Sequence, residues 1–157
     1  MHYIREKKHR LPRECYKGRQ IVSFTCCIHQ RQRFFVDRKI VQHFASCLLD
    51  EASKDVCDVL VYIFMPDHCH ILLEGRSESS DVMRVMIAFK RKTGYWLSRN
   101  FPDVRWQKDF YDHIIRSSID LRRQIDYILT NPVRNNIVGD WHNYPFKGSS
   151  IHDFDKE

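Results

Sequence analysis

Apolar and polar positions change period along this chain, and the period names the element. Residues 19–29 (Arg19 to His29) are dense in β-branched and aromatic types and predict a first strand. Asp37 stands at a helix N-cap position ahead of Ile40, Val41, Phe44, Leu48 and Ala52, which recur at helical spacing. Cys57 to Met65 is apolar nearly throughout, which predicts a second strand, central in its sheet. Pro66-Asp67 predicts a tight turn, and His68 to Glu74 a third strand that pairs with the second as a hairpin. Ser80 or Asp81 caps a second helix with Val82, Val85, Met86, Phe89 and Trp96 on one side. Phe110 to Arg116 reads as a short fourth strand. Ser118 starts a third helix that should end near Asn131, because Pro132 disfavours helical geometry in the residue before it. The order β-α-β-β-α-β followed by a helix predicts an α+β, ferredoxin-like split βαβ fold, an antiparallel sheet with helices on one face.

No internal repeat or flexible linker interrupts the pattern, so residues 19–148 read as one domain between an N-terminal arm (1–18) and a C-terminal tail (149–157). A chain of 157 residues with 43% hydrophobic and 29% charged residues can bury a core and is not a disordered segment. No apolar run approaches the ~20 residues of a membrane span. The first residues carry charges with no apolar stretch behind them, so no signal peptide is expected and a cytoplasmic setting is.

Charge alters the picture at one end. The net charge is +6, and residues 1–20 hold nearly all of it: Arg5, Lys7, Lys8, Arg10, Arg13, Lys17 and Arg19 stand against Glu6 and Glu14. Such an arm suits a polyanion, most often nucleic acid, or is a solvated tail that keeps the chain soluble. The six cysteines form no CxxC pair, which removes zinc-ribbon and thioredoxin-like readings, and reduced thiols are expected.

Four features carry candidate chemistry. In His68-Cys69-His70 the alternation of a strand sends both imidazoles to one face, about 7 Å apart, and Cys69 to the other. The pair can share a divalent metal, or be two surface histidines. In the third helix Leu121, Ile125, Ile128 and Leu129 form the apolar stripe. Tyr127 lies off it, as an exposed aromatic or a placed hydroxyl. Asn131 follows four residues later on the same helix face, and is either an oxygen ligand completing the histidine site or an ordinary helix stop before Pro132. Lys90, Arg91 and Lys92 can contact phosphates or be a solvated helix face. His113 is read as structural or as a support for the site.

Together these residues resemble the HUH single-tyrosine transposases, closest to the branch associated with repetitive extragenic palindromes (REPs). Val61 to Leu73 looks like the family's apolar strand, Met-Pro turn and His-hydrophobe-His strand. Trp106 to Arg116 looks like the strand leading to the tyrosine helix, and Asp126 to Arg134 like the helix end that carries the nucleophile. Trp141-His142-Asn143-Tyr144-Pro145-Phe146 is similar to the tail of the palindrome-associated branch. The sequence departs from the pattern in having Cys69 at the middle position and Asn131 where some members carry Gln.

The resemblance implies a metal-dependent transesterase that cleaves and rejoins single-stranded DNA at hairpins. Tyr127 would attack a backbone phosphate and keep the 5′-phosphate as a phosphotyrosine. His68, His70 and Asn131 would hold Mg²⁺ or Mn²⁺. Arg13, Lys17, Arg19, Lys90, Arg91 and Lys92 would bind the DNA, and the protein would act as a monomer or homodimer. The competing readings are a non-catalytic hairpin-binding regulator, a metal-dependent phosphodiesterase that uses water, and a small-molecule-binding ferredoxin-like module.

Overall fold

A computed structural model describes residues 10–156. Its strands are β1 (Ile21–Cys27), β2 (Cys57–Met65), β3 (His68–Gly75), β4 (Tyr111–Ile115) and β5 (Lys147–Gly148). Its helices are α1 (Arg38–Lys54), α2 (Val82–Asn100), α3 (Ser118–Leu129) and α4 (Asn131–Arg134). The strands form one antiparallel sheet in the order β4-β1-β3-β2-β5. That is the split βαβ arrangement: β1 and β2 are joined through α1 but separated by β3, which reaches β2 through the Pro66-Asp67 turn.

Capping places the helices where the sequence put them. The Asp37 carboxylate accepts from the backbone N–H groups of Lys39 and Ile40, and Asp81 from that of Arg84. Ser117, one residue before the expected start, caps α3 by accepting from Asp120 N–H. The two helices of the split βαβ unit share one face. Phe44, Leu48, Val85, Met86 and Phe89 meet Val22, Phe24, Cys69, Ile71 and Phe64 there in the larger apolar cluster. Phe44 is fully buried, with Phe35, Phe64, Phe89 and Trp106 rings within 6.4 Å, centroid to centroid.

The opposite face is covered by α3 and the C-terminal segment. Ile128, Leu129, Tyr144 and Phe154 pack on Val61, Ile63, Met65, Leu72 and Ile115. This second layer accounts for the apolar run of β2, which is not the central strand expected. Strand β2 is apolar on both faces because both faces are covered, and its outer edge is met only by the short β5. A register shift between Val59 and Val61 keeps each of its side chains on the correct layer. Among the described residues no helix is long and apolar enough to cross a membrane.

Residues 1–9 of the basic arm lie outside the described residues. Residues 10–18 dock on the body. The fully buried Asp112 carboxylate accepts from Arg10 Nη1 at 2.8 Å and from Tyr16 Oη at 2.7 Å. The Arg10 guanidinium also lies 3.8 Å above the Phe110 ring. Gly75 accommodates this segment: a Cβ there would stand 2.0 Å from the carbonyl oxygen of Gly18.

Burial, and then the hydrogen bond to Asp112, push the Tyr16 phenol up to about 12. The unfolded chain ionises near ~10, so this stability is complete below that pH and is lost as pH rises toward 12. Thermal melts between pH 9 and 12 should therefore show a steeper fall for the wild type than for Tyr16→Phe. Parallel curves would refute this.

Candidate active site

The strand register determines which side chains converge. Thr25 pairs with His70 on one side and Tyr111 on the other, while Ile63 pairs with His70 from β2. These cross-strand partners share the face that carries α3. His68 and His70 point to that face as expected, and Cys69 is buried in the cluster on the other. The imidazoles lean together, with ring centroids 4.9 Å apart, closer than strand spacing alone implies. Both histidines are more than nine-tenths buried.

Hydrogen bonds fix the tautomer of each ring. His70 Nε2 accepts from Asn131 Nδ2 at 2.7 Å, so its proton sits on Nδ1 and is donated to Thr25 Oγ1 at 2.8 Å. The Asp67 carboxylate lies 2.6 Å from His68 Nδ1 and can only accept, so that nitrogen carries the proton. Each ring thus has its Nδ1 tied to a neighbour, and the His70 Nε2 lone pair meets the Asn131 amide. Burial would raise the Asp67 carboxyl, but hydrogen bonds from His68 and Arg31 hold it far below the ordinary carboxylate range. Burial, followed by the charges of His68, Arg134 and Arg31, pushes His70 well below the ordinary imidazole value, which keeps its lone pair available at neutral pH.

Tyr127 comes to this pair from a different element. Its ring stands edge-on to His70, with centroids 5.9 Å apart and planes at 79°. It is 38% exposed on a helix whose buried residues are Ile128 and Leu129. Asn131 is buried beside it, but it does not stop the helical path. Strand-like geometry never appears: α3 ends at Leu129, Thr130 bridges, and Asn131 opens α4 with Pro132 in its first turn. A proline there has no intrahelical N–H to lose. The turn of chain at Thr130 carries the Asn131 side chain inward.

The donor set suits a divalent ion on one condition. Among the described residues no group of three His, Cys, Asp or Glu side chains converges, and the residue expected to add an oxygen to the pair is Asn131, which lies against His70. As placed, its amide nitrogen faces His70 and its oxygen accepts from Asn135 Nδ2 at 2.6 Å. Ligation through Oδ1 requires that amide to turn over, and the Asn135 amide to turn with it. Two imidazoles and a carboxamide oxygen, with no thiolate, form a set for a hard or borderline cation.

The basic residues divide. Arg13 pairs with Asp81 at 2.9 Å, while Lys17 and Arg19 are exposed on the same segment. Lys90 Nζ donates to the carbonyl oxygens of Gln107, Lys108 and Asp109, and Lys92 pairs closely with buried Glu51. Arg91 is exposed, and all three belong to α2, on the sheet face away from the histidines. His113 Nε2 lies 2.9 Å from Asp120 Oδ2, which ties β4 to the first turn of α3.

Sequence reasoning missed Thr25, Asp67, Arg31 and Arg134 as members of the site. Arg31 Nε donates to Asp67 Oδ2 at 2.9 Å, from a loop in which Gln30 and Arg31 both adopt left-handed φ. The polar Thr25 inside an apolar strand was the one signal available. The others become visible only once strand pairing is known.

The split βαβ sheet thus brings a strand-borne histidine pair beside a helix-borne tyrosine. Residues 18–128 match the model of the family described as transposase IS200 like, and the chain belongs to that family. A Haemophilus influenzae protein assigned to the REP-associated tyrosine transposases is 26% identical over 141 residues, covering 82% of this chain and 78% of its own. The REP-associated tyrosine transposase of Escherichia coli K12 is 30% identical over 92 residues, 57% of this chain and 52% of its own. The structure of a REP-associated tyrosine transposase bound to a REP hairpin superposes with a TM-score of 0.67 at 20% identity, covering 93% of this chain and 83% of that one. A transposase structure from Deinococcus radiodurans gives 0.53 at 20% identity, with 80% and 96% covered.

Proposed function

We propose that this protein cleaves and rejoins single-stranded DNA beside a hairpin through a covalent bond to Tyr127. The observation that carries the reading is the placement of Tyr127 against His70, which stands beside His68 and is hydrogen-bonded on both ring nitrogens. Tyr127 Oη attacks the phosphorus, the bond from phosphorus to the 3′ oxygen breaks, and the 5′-phosphate stays on the tyrosine. The phenolic proton leaves to water and the departing 3′ oxygen takes one up. In the reverse direction a 3′-OH attacks the phosphotyrosine and Tyr127 leaves. The linkage conserves phosphodiester energy, so no nucleotide cofactor is needed. A phenol with a pKa near ~10 is a weak nucleophile at neutral pH and needs assistance. Mg²⁺ or Mn²⁺ held by His68, His70 and a turned Asn131 would polarise the non-bridging oxygens and offset charge in the transition state.

Thr25 and Asp67 orient the two rings. Thr25→Val deprives His70 Nδ1–H of its acceptor, and Mn²⁺ affinity measured by calorimetry should fall about 10-fold or more. Unchanged affinity would remove Thr25 from the site. The hairpin backbone is assigned to Lys17, Arg19 and Arg91, with Arg13, Lys90 and Lys92 already committed to Asp81, Gln107–Asp109 and Glu51. Binding should weaken steeply as salt rises.

The deciding experiment is a denaturing gel of protein, labelled REP-type hairpin DNA and Mn²⁺. A slow-migrating, protease-sensitive adduct that EDTA abolishes is the expected result. Cleavage without an adduct would replace the reading with a hydrolase that uses water. Hairpin binding without cleavage would replace it with a regulator.

A further inference from the structure

We propose that Arg134 is the positioning residue for Tyr127, an inference that rests on the reading of Tyr127 as the nucleophile. Its guanidinium carbon lies 4.1 Å above the centre of the Tyr127 ring. The same guanidinium donates through Nη2 to the Tyr127 carbonyl oxygen at 2.6 Å and through Nη1 to Thr130 Oγ1. One side chain thus grips both the backbone and the ring of a residue seven positions earlier. It can do so because the chain keeps αR geometry through Thr130, so that α4 follows α3 directly and Arg134 reaches back along it.

The ring needs such a grip. Tyr127 is off the apolar stripe of α3 and partly exposed, and exposed side chains change rotamer in picoseconds to nanoseconds. Arg134 covers a ring face while His70 meets the ring edge-on, so two different contacts hold the phenol against His70. Attack on phosphorus and departure from it both require Oη on the same line, so one clamp serves cleavage and rejoining. Arg134 neither gives nor takes a proton in either step.

A simpler role would be helix capping, since a basic side chain often bonds the last carbonyls of a helix. Capping explains the bond to the Tyr127 carbonyl. It does not require the guanidinium to lie over the ring. Nor does it explain why Arg134 Nε, among the described residues, is buried without a hydrogen-bond partner. An arginine that only capped could turn that N–H to water. Stacking on the ring holds the plane where Nε is buried. Lysine could cap and carry the charge but could not lay a planar fork on the ring.

The test compares wild type, Arg134→Lys and Arg134→Gln in the full chain with Mn²⁺ and the hairpin. Hairpin Kd comes from fluorescence anisotropy, and adduct formation from single turnover at saturating protein. Kd should stay within about 2-fold, while the adduct rate falls about 30-fold for Gln and about 5-fold for Lys. An Arg134→Gln rate within about 2-fold of wild type overturns the proposal, as does a parallel loss of rate and Kd by one factor. If the Gln variant does not fold, Arg134→Lys decides by NMR on ¹³C-tyrosine-labelled protein without metal or DNA. The Tyr127 ring signals, assigned with Tyr127→Phe, should move toward random-coil positions, and unmoved signals overturn the proposal. No adduct with the wild type would instead sink the nucleophile reading, and this inference with it.

Discussion

Tyr127→Phe should form no covalent adduct with a hairpin it still binds normally. The substitution deletes one oxygen and keeps the ring, so the stack with Arg134 and the edge contact with His70 survive. Kd should change by less than about 2-fold, and adduct formation should fall at least ~10³-fold, as when an enzyme loses its nucleophile. The contrast is what makes the variant informative. A mutation that loosened α3 would weaken binding and lower Tm as well. Gel, anisotropy and thermal melt on one preparation separate these outcomes, and strand cleavage that persists in the variant would assign the chemistry to water.

The second large effect falls on stability. Asp112→Ala removes the acceptor for Arg10 and Tyr16 together. Arg10 is 24% exposed at its side chain and can regain water, whereas Tyr16 is fully buried and its O–H loses its Asp112 acceptor, keeping only the backbone bond with Leu11. The loss should be about 3 kcal/mol. For a chain of this size that lowers Tm by roughly 6–12 °C. Asp112→Asn, which retains one acceptor oxygen, should lose about half as much. A drop under about 2 °C for the alanine variant would show that residues 10–18 are not tied down through this carboxylate.

Much of the fold could be read because its signals are local. Asp37 and Asp81 cap helices from within a turn, and the Pro66-Asp67 turn puts the histidines at the start of β3. The alternation His68-Cys69-His70 assigned faces correctly because a strand has only two. What could not be read depends on partners distant in sequence. The Lys90–Lys92 run looks like a phosphate-binding stretch until Gln107–Asp109 and Glu51 are seen to take two of its members. Thr25 gains meaning only from its register against His70, 45 positions away. Pro132 marked the end of α3 to within two residues, but the proline rule cannot tell a stop from a new first turn. The centrality of β2 was misjudged because an apolar run reports that both faces are covered, and does not report what lies beside the strand.

The family-matched span ends at residue 128, one position past Tyr127. Asn131, Arg134, Tyr144 and Phe154, which bond to His70, stack on Tyr127 and cover the sheet behind it, all lie beyond that limit. Tyr144 Oη donates to the Phe64 carbonyl oxygen, and Ser150 bonds Val59 on the outer edge of β2. The signature by which relatives are recognised and the unit that must act together therefore have different borders. A protein trimmed to the matched span would keep Tyr127 and His70 and lose the Arg134 and Asn131 side chains that contact them.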